Sequence, residues 1–373
     1  MEAILESIGA ITWQQCVMIL IGGVLIFLAI RFEMEPTLLL PMGFGAILVN
    51  LPLSGAITQI RGGEEEVGVL SLLFDSGIAN ELFPLLLFIG IGAMIDFTPL
   101  LTNPKLMFFG AAAQFGIFFT LCVGSLIFPD IKDAASVAII GAADGPTSIF
   151  VANYFHSQYL PAILVAAYSY MALVPIVQPP VIKLVTTKKE RRIRMEYTSK
   201  KVSKITLILF PIIITVIAGI VAPRSVSLVG FLMFGNLVRV CGVLDSLSET
   251  AQKVLANLIT LLLGLTVASS MVAEDFLRPQ TLMILGLGLV AFVFDTVGGV
   301  MVAKLYNLFA KNKVNPMIGA AGISAFPMSA RIINKMGLEE DNQNFLLMPA
   351  IGVNVSGQIA SVIAGGLVLT MFG

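Results

Sequence analysis

A chain of 373 residues that is 57% hydrophobic and 12% charged, with a mean hydropathy of +0.95, is not a water-soluble domain, because its surface would be one apolar patch. Its single histidine, His156, excludes zinc sites and catalytic triads, so chemistry has to run on Asp, Tyr, Ser, Asn and backbone. Zinc, haem and nucleotide cofactors are not expected.

The N-terminal stretch carries Glu2 and Glu6 where a signal peptide would be basic, so the first apolar run reads as a retained span. Apolar segments bounded by Pro, Gly or charge fall at about 16–32, 36–53, 82–98, 105–128, 160–186, 205–222, 225–243, 251–272, 280–310 and 345–371, which predicts about ten transmembrane helices. The polar stretch 54–81 is expected to hold an interfacial helix. Cys16, Cys122 and Cys241 lie in apolar runs without CxxC spacing and read as packing residues. Between residues 188 and 204 runs KKERRIRMEYTSKKVSK, a basic loop that the positive-inside rule places in the cytoplasm.

Two apolar stretches break in their middle, residues 131–156 at Gly141, Gly145 and Pro146, and residues 311–337 at Gly319, Gly322 and Pro327. Half-helices of about ten residues reach only about 15 Å, so these segments are expected to dip into the bilayer and return. Ile140-Gly141-Ala142-Ala143 is matched by Ile318-Gly319-Ala320-Ala321, which suggests an internal repeat of 82–186 against 251–371. The remaining parts are an N-terminal unit 1–81, the basic loop 187–204 and linking spans 205–243. Five predicted spans, an odd number, separate the two hairpins. They therefore enter from opposite faces, the inverted-repeat arrangement of secondary transporters. The flanks agree: Lys311, Lys313, Arg331 and Lys335 are basic around the second hairpin, while Asp130, Asp133 and His156 flank the first.

Asp144 is the sharpest chemical signal, a carboxylate at the break of an apolar half-helix pair, where a bare charge is costly. With glycine-freed carbonyls and the hydroxyls of Thr147 and Ser148 it forms an oxygen cage suited to Na⁺ or H⁺; equally, it caps the half-helix that starts at Gly145-Pro146, and both roles can hold together. The second hairpin offers Asn315, Gly319, Gly322, Ser324 and Ser329 without an acid, although Asn315-Pro316 also reads as a plain helix start and Ser324 as a back-bonding serine. Tyr170 either faces the hairpins or belongs to an interfacial belt, a role that suits Tyr168 better. Gln178, and the run Asn354, Ser356, Gly357, Gln358 and Ser361, are too polar for a lipid face. Asp295 lies inside a span and is a secondary candidate, Asp96 reads as an interfacial cap, and Arg331 either snorkels or meets an anionic substrate.

GAADGPTSIF, NPMIGAAGISAFPMSAR and GVNVSGQIAS, with the basic central loop, resemble the beta subunit of the biotin-dependent, sodium-pumping decarboxylases of oxaloacetate, methylmalonyl-CoA and glutaconyl-CoA, over the full length. The resemblance implies a bacterial inner-membrane subunit that decarboxylates carboxybiotin, consumes a proton and drives Na⁺ outward. It also implies a homotrimer with an elevator-like core, surrounded by lipid, not nucleic acid. The implied partners are a carboxyltransferase alpha subunit, a biotin carrier and a small membrane subunit. By the same resemblance Asp144 is the central Na⁺ and proton ligand, Asn315, Gly319, Ser324 and Asn354 join it around Na⁺, Tyr170 handles a proton, and Arg331 guides the carboxybiotin head. The residue pattern alone fits a sodium-coupled secondary transporter for a carboxylate equally well.

Overall fold

A chain that displays this much apolar surface can satisfy its backbone only inside helices, and the computed structural model, which describes residues 9–61, 63–195 and 201–373, is helical almost throughout. The helices are α1 (Trp13–Phe32), α2 (Pro36–Val49), α3 (Leu82–Met94), α4 (Leu106–Ile127, with an irregular turn at Ala113-Gln114), α5 (Ile131–Ala138), α6 (Gly145–Tyr154), α7 (Leu160–Val185), α8 (Lys204–Val221), α9 (Val226–Val240), α10 (Asp245–Ser270), α11 (Pro279–Phe309), α12 (Met328–Glu340) and α13 (Leu347–Phe372). Polar side chains set several starts: Thr12 and Gln15 form a capping box on α1, and Ser203 caps α8 through the Thr206 amide.

Among the described residues, seven helices are long and apolar enough to cross a bilayer: α1, α4, α7, α8, α10, α11 and α13. Val69–Ile78 and α3, bent by 64°, make an eighth candidate. All ten predicted segments are helical. Those at 36–53, 82–98 and 225–243 give α2, α3 and α9, of 14, 13 and 15 residues, each only about 20 Å long against about 30 Å of hydrocarbon. The stretch 54–81 holds the expected helix but also a two-stranded hairpin, Gln59–Arg61 with Glu64–Glu66. Cys16 and Cys122 lie on exposed outer faces and Cys241 is half-buried, so the reading of all three as packing residues does not hold. Glu2 and Glu6, and residues 196–200 of the basic loop, lie outside the described residues.

Burial sorts the helices. Only 17% of α1 and 11% of α8 is buried, against 67% of α13, so α13 is an interior element and the other two are peripheral. Small residues bring helix backbones together: a Cβ at Gly92 of α3 would lie 1.9 Å from the Leu232 carbonyl oxygen of α9, and one at Gly235 of α9 would lie 2.0 Å from that of Ile89.

Both glycine-broken stretches fold as hairpins. The first is α5, a 3-10 turn at Ile139–Ala142 and α6; the second is a 3-10 segment at Pro316–Gly322 followed by α12. Asp133, at the start of the first, accepts hydrogen bonds from Ser157 (2.6 Å) and Gln158 (3.2 Å), which fastens its base beside the N-terminus of α7. At the start of the second, Asn315 donates to the Arg191 and Ile193 carbonyls beyond the C-terminus of α7. The two bases therefore sit at opposite ends of one continuous 26-residue helix. Arg191–Glu340 (2.6 Å), Lys304–Glu190 (3.1 Å) and Arg194–Asp341 (2.7 Å) gather the basic loop, the end of α11 and the end of α12 at the second base.

Candidate functional site

The tips of the two hairpins meet. The Ser324 amide of the second donates to the Ala142 carbonyl of the first, 2.9 Å away, two residues before Asp144. Ala143 takes a left-handed conformation (φ 51°), Asp144 is extended, and Gly145-Pro146 opens α6. The turn aims the Asp144 side chain inward, where it is 2% exposed. Its Oδ1 accepts from the Thr147 amide (3.2 Å), so it does cap α6. Oδ2 takes three donors: the Thr147 hydroxyl at 2.8 Å, and Ser361 Oγ at 2.7 Å and Gln358 Nε2 at 3.2 Å, both from α13. Among the described residues no cation pairs with Asp144. Three polar donors on one oxygen suit a carboxylate that is ionised without an ion pair, and hydroxyl and amide side chains can turn to offer a cation their oxygens instead.

The second hairpin contributes carbonyls held by amide side chains. Asn354 of α13 donates to Ala321 (3.0 Å) and Ile323 (2.7 Å), and its own Oδ1 is buried with no partner. Gln178 of α7 donates to Ala320 (2.7 Å) and to Ser329 Oγ (2.9 Å). Ser324 Oγ donates to the Gly357 carbonyl at 3.3 Å. Gly319 lies against Gly299 of α11, where a Cβ would fall 2.1 Å from a carbonyl oxygen.

Asp144, Ser324 and Asn354 thus come together, with Gly319 and Gln178 along the second hairpin. Asn315 does not join them: it caps the Pro316–Gly322 segment by accepting from the Met317 amide (3.1 Å) and is tied to the basic loop, with about 14 Å of 3-10 rise between it and the tip. Tyr170 is buried in one cluster with Ala134, Val137 and Ile140 of the first hairpin, as a hairpin-facing residue would be, and donates to the Leu285 carbonyl on α11, with no bond to Asp144. The tyrosine beside Asp144 is Tyr168, whose ring packs on Gly145 and whose buried hydroxyl has no partner, so it is no interfacial-belt residue. Arg331 is exposed on α12. It lies close enough to Glu35, in the α1–α2 loop, to lower that carboxyl's pKa, although burial dominates and raises it. Asp295 is fully buried elsewhere, against α4, and Asp96 is the exposed cap expected, accepting from the Thr98 amide (2.9 Å).

Two contributors went unrecognised as partners of Asp144: Gln358 and Ser361. Both belong to the polar run on α13, and the spacing 354, 358, 361 is one helix face, the signal by which they could have been found. Gln114 had no such signal. It sits at the break in α4 and donates toward the carbonyls of Gly110, Gly322 and Gly357.

Residues 14–372 match the family model of the Na⁺-transporting oxaloacetate decarboxylase beta subunit. The chain is 46% identical to the glutaconyl-CoA decarboxylase subunit beta of Acidaminococcus fermentans over 98% of its own length and 95% of that protein's. It is 45% identical to the methylmalonyl-CoA decarboxylase subunit beta of Propionigenium modestum, covering 96% and 94%. With the oxaloacetate decarboxylase beta chain of Klebsiella pneumoniae it shares 42% identity over 99% and 98%. Matched over residues 14–372 and more than 40% identical to these relatives over nearly their whole length, this helical, multi-pass chain belongs to the family of beta subunits of Na⁺-transporting decarboxylases.

Proposed function

We propose that this chain is the membrane subunit at which carboxybiotin, delivered by a biotin carrier from a carboxyltransferase alpha subunit, loses CO₂ while Na⁺ is moved outward across the bacterial inner membrane. The observation that carries the reading is Asp144: a buried acid at the meeting point of two broken hairpins, held by three hydroxyl and amide donors and, among the described residues, by no Lys or Arg. The N–CO₂ bond of carboxybiotin breaks, CO₂ leaves, and the ureido nitrogen takes up one proton. A dry site favours loss of CO₂ by desolvating the carboxylate. Asp144 binds Na⁺ when ionised and carries a proton when neutral; a carboxylate that cannot hold both couples the two flows.

Ser324 and Asn354, whose Oδ1 is unpartnered, are the nearest further oxygen ligands for Na⁺, with Gly319 shaping the hairpin they belong to. Asn315 stands at the mouth beside the basic loop, Arg331 is exposed in the opening turn of α12, where it is free to meet an anionic head group, and Tyr170 is the phenol that packs on the first hairpin. The bases at opposite ends of α7, and the exchange of contacts by which Gln178 reaches the second hairpin while Gln358 and Ser361 reach the first, support an inverted repeat of 82–186 and 251–371. They fit about ten spans and an elevator-like movement; the proposed assembly is a homotrimer of this chain with a small membrane subunit as a further partner.

The test is Na⁺-dependent decarboxylation and ²²Na⁺ uptake by proteoliposomes holding the whole complex, with oxaloacetate, methylmalonyl-CoA and glutaconyl-CoA tried in turn. Asp144→Asn should abolish both activities, and retention of Na⁺-dependent decarboxylation would refute the exchange. Recovery of a biotinylated carrier with the protein on avidin separates this reading from a sodium-coupled carboxylate transporter, which would be recovered alone.

A further inference from the structure

We propose that Asp295 is a second proton-holding site of the core, separate from Asp144 and independent of Na⁺, with the proton on Oδ2. Asp295 is fully buried on α11. It lies where α4 is interrupted at Ala113-Gln114, and its Oδ1 accepts from the Gly116 amide, one of the free N–H groups that open the second half of α4. On its other side is Gly141 of the first hairpin, whose Cβ position would be 3.4 Å from Oδ2. Oδ2 is buried and receives no hydrogen bond.

An ionised Asp295 would keep one charged oxygen bare in a dry interior. Thr120, one helical turn beyond Gly116 on α4, also has a buried hydroxyl oxygen with no partner. A proton on Oδ2 turns an unmet acceptor into a donor for a spare carbonyl or hydroxyl lone pair, and the Thr120 hydroxyl has both lone pairs free. Among the described residues no side chain supplies compensating charge. α4 holds no charged residue, its one titratable side chain being the exposed Cys122, and the Ile139–Ala142 turn holds none. On α5, Asp133 is engaged by Ser157 and Gln158, and Lys132 lies in the first turn at the hairpin base. On α7, Tyr170 donates to Leu285 and Lys183 is in the last turn. On α11 itself Lys304 pairs with Glu190, and Asp144 belongs to its own set of donors.

A metal ion fits this corner poorly. It needs several oxygens around an open volume, whereas a Cβ at Gly116 would lie 2.5 Å from Oδ1 and one at Gly141 would lie 2.9 Å from the Ala291 side chain. A proton needs no volume. The ligand is therefore H⁺, held beside Gly116 and Gly141 by a carboxyl that shares no hydrogen-bond partner with Asp144.

Infrared difference spectroscopy of the purified complex at neutral pH, in saturating Na⁺, reads this state directly and does not depend on transport. The expected result is a buried carboxylic-acid C=O band, sensitive to deuterium exchange, that persists in Asp144→Asn and is lost in Asp295→Asn. Asn keeps an oxygen for the Gly116 amide, so that variant tests the proton and not the cap. If Asp295→Asn fails to assemble, carboxyl-labelled aspartate in the native complex reports the same band. A band untouched by Asp295→Asn, no acid band in the labelled native complex, or an Asp295 band that disappears as Na⁺ is added would each overturn the proposal.

Discussion

Ser361→Ala isolates one bond in the Asp144 cage. Ser361 Oγ has one proton and two acceptors within reach, Asp144 Oδ2 at 2.7 Å and the Gln358 carbonyl at 3.1 Å. While Asp144 is ionised the proton belongs on Oδ2, and a hydrogen bond to a charged group contributes about 1.5–3 kcal/mol. Once Asp144 is protonated the hydroxyl can turn to the Gln358 carbonyl and recover about 1 kcal/mol, as an ordinary neutral bond does. The substitution therefore disfavours the ionised, Na⁺-binding form by the difference, about 0.5–2 kcal/mol, which is a factor of about 2–30 in the equilibrium. The assay is the rate of decarboxylation by the complex against Na⁺ concentration at fixed pH, where the half-saturating concentration should rise by that factor. Ser356→Ala is the control, because that hydroxyl donates to the Met107 carbonyl (3.1 Å), away from Asp144, and should leave half-saturation unchanged. An unchanged Na⁺ dependence in an assembled Ser361→Ala complex would refute the claim that this oxygen cage holds the ion.

Three further outcomes are expected. Gly357→Ala should lower the thermal midpoint and the yield of assembled protein, because its Cβ would lie 1.9 Å from the Gly322 carbonyl oxygen and overpacking of this kind costs about 1–3 kcal/mol or more; melting with the wild type would contradict the close approach. Tyr168→Phe removes a buried hydroxyl that has no partner, so stability should be unchanged or gain up to about 1 kcal/mol. If that hydroxyl serves Asp144, decarboxylation should still fall by about tenfold or more; an unaltered rate would leave Tyr168 as packing alone. Hydrogen bonding to Arg191 holds the Glu340 carboxyl below its ordinary range. Its contribution is therefore present above the unfolded carboxylate value and is lost as pH falls through the lower folded value. Glu340→Gln should destabilise by no more than about 1 kcal/mol at pH 7 and by nothing in strong acid; an equal loss at both, followed by thermal unfolding, would deny the ion pair its role.

What could be read in advance was whatever depends on local pattern. Apolar length, the glycine and proline breaks and the asymmetry of Lys and Arg are all short-range, and they were enough for the two hairpins and the Asp144 turn. Residues 354, 358 and 361 share a face by helical spacing alone. That this face meets Asp144 is a contact across more than two hundred residues, and no local rule supplies it. The tyrosines show the same limit. Tyr168 and Tyr170 are two residues apart on α7, about 200° around a helix, so they point to nearly opposite sides. Sequence fixes that they differ, but which one faces Asp144 depends on how α7 is rotated in the bundle.

That rotation is set by the close approach of Gly145 to the Tyr168 ring and by the Tyr170 hydroxyl on Leu285. Asn315 was drawn to the ion site because asparagine beside a glycine break has ligand chemistry, and the structure spends that chemistry on a cap and two loop carbonyls. The physical lesson lies in the polar groups left over. Among the described residues, buried oxygens without partners remain on Asn354, Asp295, Thr120, Gln114 and Tyr168, on helices packed around the two broken hairpins, and on Asn344 in the loop after α12. Of these, the Asn354 oxygen is the one the proposed Na⁺ site leaves open for a cation, and the Asp295 oxygen is the one that takes a proton.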